Sequence, residues 1–205
     1  MTYDSKYKRY YFVDLENVHR HALVGVNQLT KKDCVRIYYS DGNEAFPIDL
    51  HLQILNSPAH FEYIKIDIHI SNFADCQILS DISTLIQDKK MLKKTEVFII
   101  SRDNGYNASI RDFSKKGMTI GKFSTLDKKV IDRERNVYEF VNDAFTNSIE
   151  VTGGDKLLAD KVVQLILTGK TKTEINAGLM RLFDNSSVKL VYDTLKPIFE
   201  TLPGQ

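Results

Sequence analysis

Three aspartates, Asp14, Asp75 and Asp103, stand where they could do chemistry together. Asp14 ends the run Tyr10-Tyr11-Phe12-Val13, and Asp103 follows Val97-Phe98-Ile99-Ile100-Ser101-Arg102. Both runs are continuously apolar before they turn polar, as in parallel strands covered on both faces, whose carboxyl ends hold ligands in open α/β sheets. Asp75 opens the stripe Leu79, Ile82, Ile86 at helical spacing, so a helix over about 72–89 would bring it to the same crevice. Carboxylates gathered there repel and raise one another's pKa unless a cation neutralises them. All-oxygen ligation suits Mg²⁺ or Mn²⁺, which activate water against a phosphodiester. Asn17, Ser101 and Asn104 are candidates to support the carboxylates or touch substrate. Plainer roles stay open: Asp14 or Asn17 capping the next helix, Asp75 complementing a helix dipole, and Asp103 closing an Asp-Asn-Gly turn.

The elements that must position these residues alternate. Strands are expected at Tyr10–Val13, Val35–Tyr39, Phe61–Ile70, Val97–Ile100 and Met118–Ile120. The third alternates Ile64, Ile66, Ile68, Ile70 with Lys65, Asp67, His69, the pattern of an edge strand. Between them, helical stripes read Val18, Ala22, Leu23, Val26, Leu29, then Ile48, Leu52, Leu55 after Pro47, and Tyr106, Ile110, Phe113 before Gly117. Right-handed crossovers of this kind give a parallel, three-layer α/β sandwich.

The composition changes after residue 121. Residues 122–152 read as a solvated connector and additional elements; Lys122–Arg135 has five basic side chains against three acidic, and Val137–Phe145 fits a strand that swells into a short helix. Gly153-Gly154 suggests a hinge into a helical module over 153–205. There, Leu158, Val162, Leu165 and Ile166 precede Gly169, Thr171 and Glu174 form a capping box before Ile175, Leu179 and Leu182, and Asn185-Ser186-Ser187 opens a helix with Val188, Val191, Leu195 and Ile198. Three short helices with tight turns fit a helix-turn-helix unit, but balanced charge gives a packing or protein-contact module, or self-association, at least equal standing with a DNA reader.

With 28 Lys and Arg against 27 Asp and Glu, net charge neither demands nor excludes nucleic acid, so a basic surface must be local. Cys34 and Cys76 read as free core thiols. The polar start Met1–Arg9, and the lack of a run of about 18 apolar residues, point to a cytoplasmic protein. No GxxxxGK[ST], GxGxxG or GxSxG occurs, and the histidines lack zinc-ligand spacing.

The motifs Val13-Asp14-Leu15-Glu16-Asn17-Val18, Tyr39-Ser40, Ala74-Asp75-Cys76-Gln77 and Ile100-Ser101-Arg102-Asp103-Asn104-Gly105-Tyr106 resemble the PIN-like (NYN-type) nuclease family over roughly residues 9–121. The resemblance implies a nuclease domain over 1–121 with a parallel sheet of order 3-2-1-4-5, ribonuclease activity dependent on Mg²⁺ or Mn²⁺, an RNA partner, single-stranded or structured, and acidic roles for Asp14, Asp75 and Asp103. It departs at Gly105, where many relatives carry a further acid; Glu16 and Glu44 are the candidates for an additional carboxylate. Two other readings compete: a phosphatase on another Rossmann-like sheet with Asp14 as nucleophile, and a catalytically inert RNA-binding or scaffold protein.

Overall fold

The computed structural model describes residues 3–40, 46–66, 73–87, 92–147, 156–169 and 171–199. Its contacts divide the chain into two compact units, Met1–Ile131 and Asp132–Gln205. Among the described residues, no helix is long and apolar enough to cross a membrane.

The first unit holds a parallel sheet of β1 (Arg9–Asp14), β2 (Asp33–Tyr39), β3 (His60–Lys65), β4 (Glu96–Ile100) and β5 (Thr119–Phe123) in the order β3-β2-β1-β4-β5. The helices are α1 (Leu15–Val18), α2 (Ile48–Asn56), α3 (Phe73–Gln87) and α4 (Tyr106–Lys115). The expected parallel α/β fold and strand order are therefore present. The continuous apolar runs in β1 and β4 are buried on both faces, because each packs against a separate layer. Tyr10 and Phe12 join Ile78, Ile82, Ile99 and Tyr106 in one core, while Tyr11 and Val13 join Leu23, Val35, Ile37 and Ile100 in the other. Strand period two then puts Asp14 on the side of Phe12, toward the first of these cores.

Local details depart from the periodicity. The expected helix after β1 is the single turn α1 followed by two 3₁₀ turns, His19–Leu23 and Val26–Gln28. Gly25 breaks it with φ of 95°, and a side chain there would come within 2.4 Å of the Asp127 backbone. All five expected stripe residues are nonetheless buried. In α2 the stripe points the wrong way: Ile48, Leu52 and Leu55 are exposed and Ile54 is buried. In α3 the buried line is Ala74, Ile78, Ile82 and Leu85 with Asp81, so Asp75 lies on its flank rather than within it. Ile68 and Ile70 of the expected edge strand, and the side chain of Ile86, lie outside the described residues. Cys34 is buried but Cys76 is exposed, so only one thiol belongs to the core.

The second unit is helical. Over the segment expected to connect, the chain forms α5 (Lys128–Asn147), which crosses the division between the units. Its Val137, Val141 and Phe145 pack with α6 (Lys156–Thr168), α7 (Lys172–Leu182) and α8 (Asn185–Phe199) around Val162, Ile175, Leu179 and Leu195. Thr171 caps α7 by accepting from the Glu174 N–H, as the capping box requires. The start of α8 is capped one residue earlier than expected, because Asp184 accepts from the Ser186 and Ser187 N–H groups. Gly153-Gly154 lies outside the described residues.

Candidate active site

Asp14 is the last residue of β1 and is 3% exposed. The β1–β4 register pairs Val13 with Ile100, so Ser101, the next residue of its chain, falls beside Asp14. The Ser101 hydroxyl donates to Asp14 Oδ2 at 3.0 Å, the Tyr106 hydroxyl approaches the same oxygen at 3.3 Å, and the Asn17 N–H reaches Oδ1 at 3.4 Å. Burial, with the Asp75 charge adding to it, raises the Asp14 pKa to about 6 despite these donors. No salt bridge among the described residues neutralises it.

Asp75 sits in the first turn of α3 and is partly buried. Its pKa is also raised, first by burial and then by the charges of Asp103 and Glu16, while a hydrogen bond from Tyr106 opposes the rise. Tyr106, the first residue of α4, is fully buried and its hydroxyl serves both carboxylates. A phenol carries one proton, so it can donate to only one of them at a time. Burial and the two neighbouring charges push its own ionisation far upward, keeping it a neutral donor.

The loop after β4 is held from several sides. Asn17 Oδ1 accepts from the Arg102 N–H at 2.7 Å, tying α1 to that loop. Ser101 Oγ accepts from the Asp103 N–H at 3.1 Å, and Asp103 Oδ1 accepts from the Gly105 N–H at 2.7 Å. Lys122 of β5 donates to the Asp103 carbonyl at 2.7 Å and to Asn104 Oδ1 at 3.0 Å. A Cβ at Gly105 would lie 3.3 Å from Asp103 Oδ1, so the small residue leaves room for this turn.

The structure thus couples Asp14 and Asp75 through one hydroxyl, and places the charges of Asp103 and Glu16 where they act on Asp75. Asn17, Ser101 and Asn104 all bond within this loop system, whereas Glu44 lies outside the described residues. Tyr106 and Lys122 were not singled out by sequence reasoning. Tyr106 reads as one member of an apolar stripe, and only its place just after the strand-end Ser101-Arg102-Asp103 hints at a polar role. Lys122 sat in the segment read as connector, with no signal that β5 continues to Phe123.

The donors fit a hard divalent cation in kind: buried or partly buried carboxylate oxygens with unneutralised charge. Among the described residues, no three carboxylate, imidazole or thiol groups stand close enough to form a ready-made cage. Such donors suit an ion held by one or two carboxylates with retained waters, and not one enclosed by protein ligands alone. A family model described as PIN domain matches residues 8–123, more than half of the chain. No curated protein and no solved structure matches significantly.

Proposed function

The chain belongs to the PIN domain family, and from that premise we propose that it is a metal-dependent ribonuclease using Asp14, Asp75 and Asp103 to hydrolyse RNA phosphodiester bonds. The observation that carries the reading is Asp14: a carboxyl group 3% exposed at the end of a central strand, without a neutralising cation among the described residues and close enough to Asp75 to feel its charge. A fold has little reason to bear that repulsion for packing alone, since replacing the acid by a neutral residue would relieve it.

In this reading Asp14 and Asp75 hold Mg²⁺ or Mn²⁺, with Asp103 near enough to contribute charge and Glu16 at the periphery. When bound, the ion would neutralise the carboxylates and lower the pKa of a water for attack on phosphorus. Ser101 and Tyr106 fix the orientation of the Asp14 carboxylate through their hydroxyls. Asn17 and Lys122 hold the Ser101–Asn104 loop, and Arg102, exposed within that loop, would be the cation to meet a phosphate. The helical unit serves a protein partner or self-association, and the setting is cytoplasmic.

The test is incubation of labelled single-stranded and hairpin RNAs with the protein and Mg²⁺ or Mn²⁺, beside Asp14→Asn prepared identically. Metal-dependent fragments from the parent alone support the proposal. RNA binding without fragments would make the protein an inert binder, and release of inorganic phosphate from small phosphomonoesters would make it a phosphatase.

A further inference from the structure

The acidic site presents RNA with a difficulty: Asp14, Asp75, Asp103 and Glu16 repel phosphates, so binding energy has to come from elsewhere on the surface. The chain as a whole carries a net charge of only +1, and any attraction must be concentrated. At the opposite, amino edge of the sheet, Lys8, Arg9, Thr30, Lys31, Lys32 and Glu96 line a hollow of about 410 Å³. Lys8, Lys31 and Lys32 are exposed and form no ion pair among the described residues. Arg9 is bound to the buried Asp33, so three ammonium groups stand against the one free carboxylate of Glu96. Lys93 and Lys94, exposed just before β4, extend the positive charge along the same edge.

The hollow is built, and does not arise from loose side chains alone. Asp33 Oδ2 accepts from the Thr30 N–H and hydroxyl and from Arg9 Nη2, which fixes the turn bearing Lys31 and Lys32. The Lys32 carbonyl accepts from the Lys8 and Arg9 N–H groups, and the Lys8 carbonyl accepts from the Glu96 N–H. Three chain segments are therefore locked together, with Lys8, Lys31 and Lys32 lining one hollow. Cations carried on a fixed backbone suit phosphate oxygens, and the concavity suits a backbone strand more than a flat lipid surface.

We propose that this amino-edge hollow is a second phosphate-binding site, which holds the RNA backbone away from the carboxylate cluster. Naming RNA as the ligand rests on the function proposed above. Arg9 and Asp14 are the two ends of β1, about 17 Å apart at the rise of a strand, so a single RNA can reach both edges. The hollow supplies affinity and the carboxylate edge the chemistry.

The test separates binding from cleavage by working in the Asp14→Asn background with a labelled oligouridylate of roughly 20 nucleotides. Lys8→Gln/Lys31→Gln/Lys32→Gln should weaken binding about tenfold or more at moderate salt. It should also make the slope of log affinity against log salt shallower by about 2, as expected for three lost contacts to a single strand. Lys161→Gln/Lys172→Gln/Lys189→Gln removes the same charge from the helical unit and should change neither. If the triple variant melts early, Lys31→Gln/Lys32→Gln, which leaves the Lys8 strand start untouched, should show about two-thirds of the slope change. Equal effects from both triple variants, or an unchanged slope in the hollow variant, would overturn the proposal. So would loss of binding to phosphatidylserine vesicles with RNA binding unchanged, because the hollow would then be a lipid contact. A protein that binds oligouridylate through these lysines yet never cleaves RNA would leave the hollow standing and remove the nuclease reading.

Discussion

The Tyr106 hydroxyl lies 3.3 Å from Asp14 Oδ2 while also bonding Asp75, so one phenolic proton stands between two carboxylates from different elements. This joins the end of β1 to the first turn of α3 through the first residue of α4. Tyr106→Phe keeps the buried ring and deletes the shared donor. It should cost about 1–3 kcal/mol in urea unfolding, the usual penalty for leaving a buried acceptor short of a partner. With less to hold the carboxylates in place, the thermal shift produced by Mn²⁺ should shrink. An unchanged shift would mean that the hydroxyl does not position these groups.

The raised pKa of Asp14 has a pH signature in metal-free protein. A carboxyl that titrates near 6 in the fold, against 3.8 as its ordinary value, binds its proton more tightly folded than unfolded. Stability is therefore greatest from this group at low pH, falls as pH rises between about 4 and 6, and is level above that. The two-unit difference corresponds to about 3 kcal/mol at most. Asp14→Asn cannot titrate, so the gap between variant and parent should move in the variant's favour by up to that amount from pH 4 to pH 7. Urea unfolding with chelator across this range measures it, and a constant gap would show that Asp14 titrates no higher in the fold than in the unfolded chain.

Much of this arrangement could be read from local pattern. Strand-end acids are visible because a buried parallel strand is a continuous apolar run, and the polar residue that ends it marks the edge of the sheet. Which way a helix turns its apolar stripe is harder to read. Asp75 seemed to lie within the buried line of α3, but the buried acid there is Asp81, accepted into the core because Tyr38 on β2 donates to it at 2.6 Å and Gln77 at 3.0 Å. That partner is 43 residues away in sequence, beyond any periodicity argument. In α2, three apolar residues at helical spacing face outward, since spacing identifies a face without saying what covers it. Tyr106 illustrates the same limit, because its ring belongs to the apolar pattern and its hydroxyl to the site.

Arg36 tests the core beside the site. It is buried in the middle of β2, pairs through Nε with Glu62 at 2.7 Å, lies 4.3 Å over the Tyr3 ring, and leaves Nη1 without a hydrogen-bond partner among the described residues. Removing Glu62 leaves a buried guanidinium without its counter-charge, whereas removing Arg36 leaves a carboxylate that is 31% exposed and can stay hydrated. Glu62→Ala should therefore cost about 3 kcal/mol, and Arg36→Met no more than about 1 kcal/mol, since apolar replacement of buried ions is often neutral. Equal losses in denaturant unfolding would show that the guanidinium holds the sheet through its ring contacts and not through the ion pair.

Asp75→Asn best separates catalysis from packing. Asparagine nearly preserves size and can still accept hydrogen bonds, so if Asp75 only completes the start of α3 the cost should not exceed about 1 kcal/mol and cleavage should survive. In the proposed site the same change removes a negative charge that repels Asp14, Asp103 and Glu16. Metal-free thermal stability should then equal or exceed that of the parent, because the remaining carboxylates repel less. The lost charge also weakens the hold on the cation that must offset charge developing on the phosphate. The Mn²⁺ thermal shift should shrink and RNA cleavage should fall by at least about 100-fold, the scale for losing an important electrostatic contact. RNA affinity at fixed salt should change far less, since phosphate contacts on basic surface provide it. A folded Asp75→Asn protein that cleaves at the parental rate, in preparations matched for contaminating ribonuclease, would make Asp75 a structural residue and dissolve the three-aspartate site.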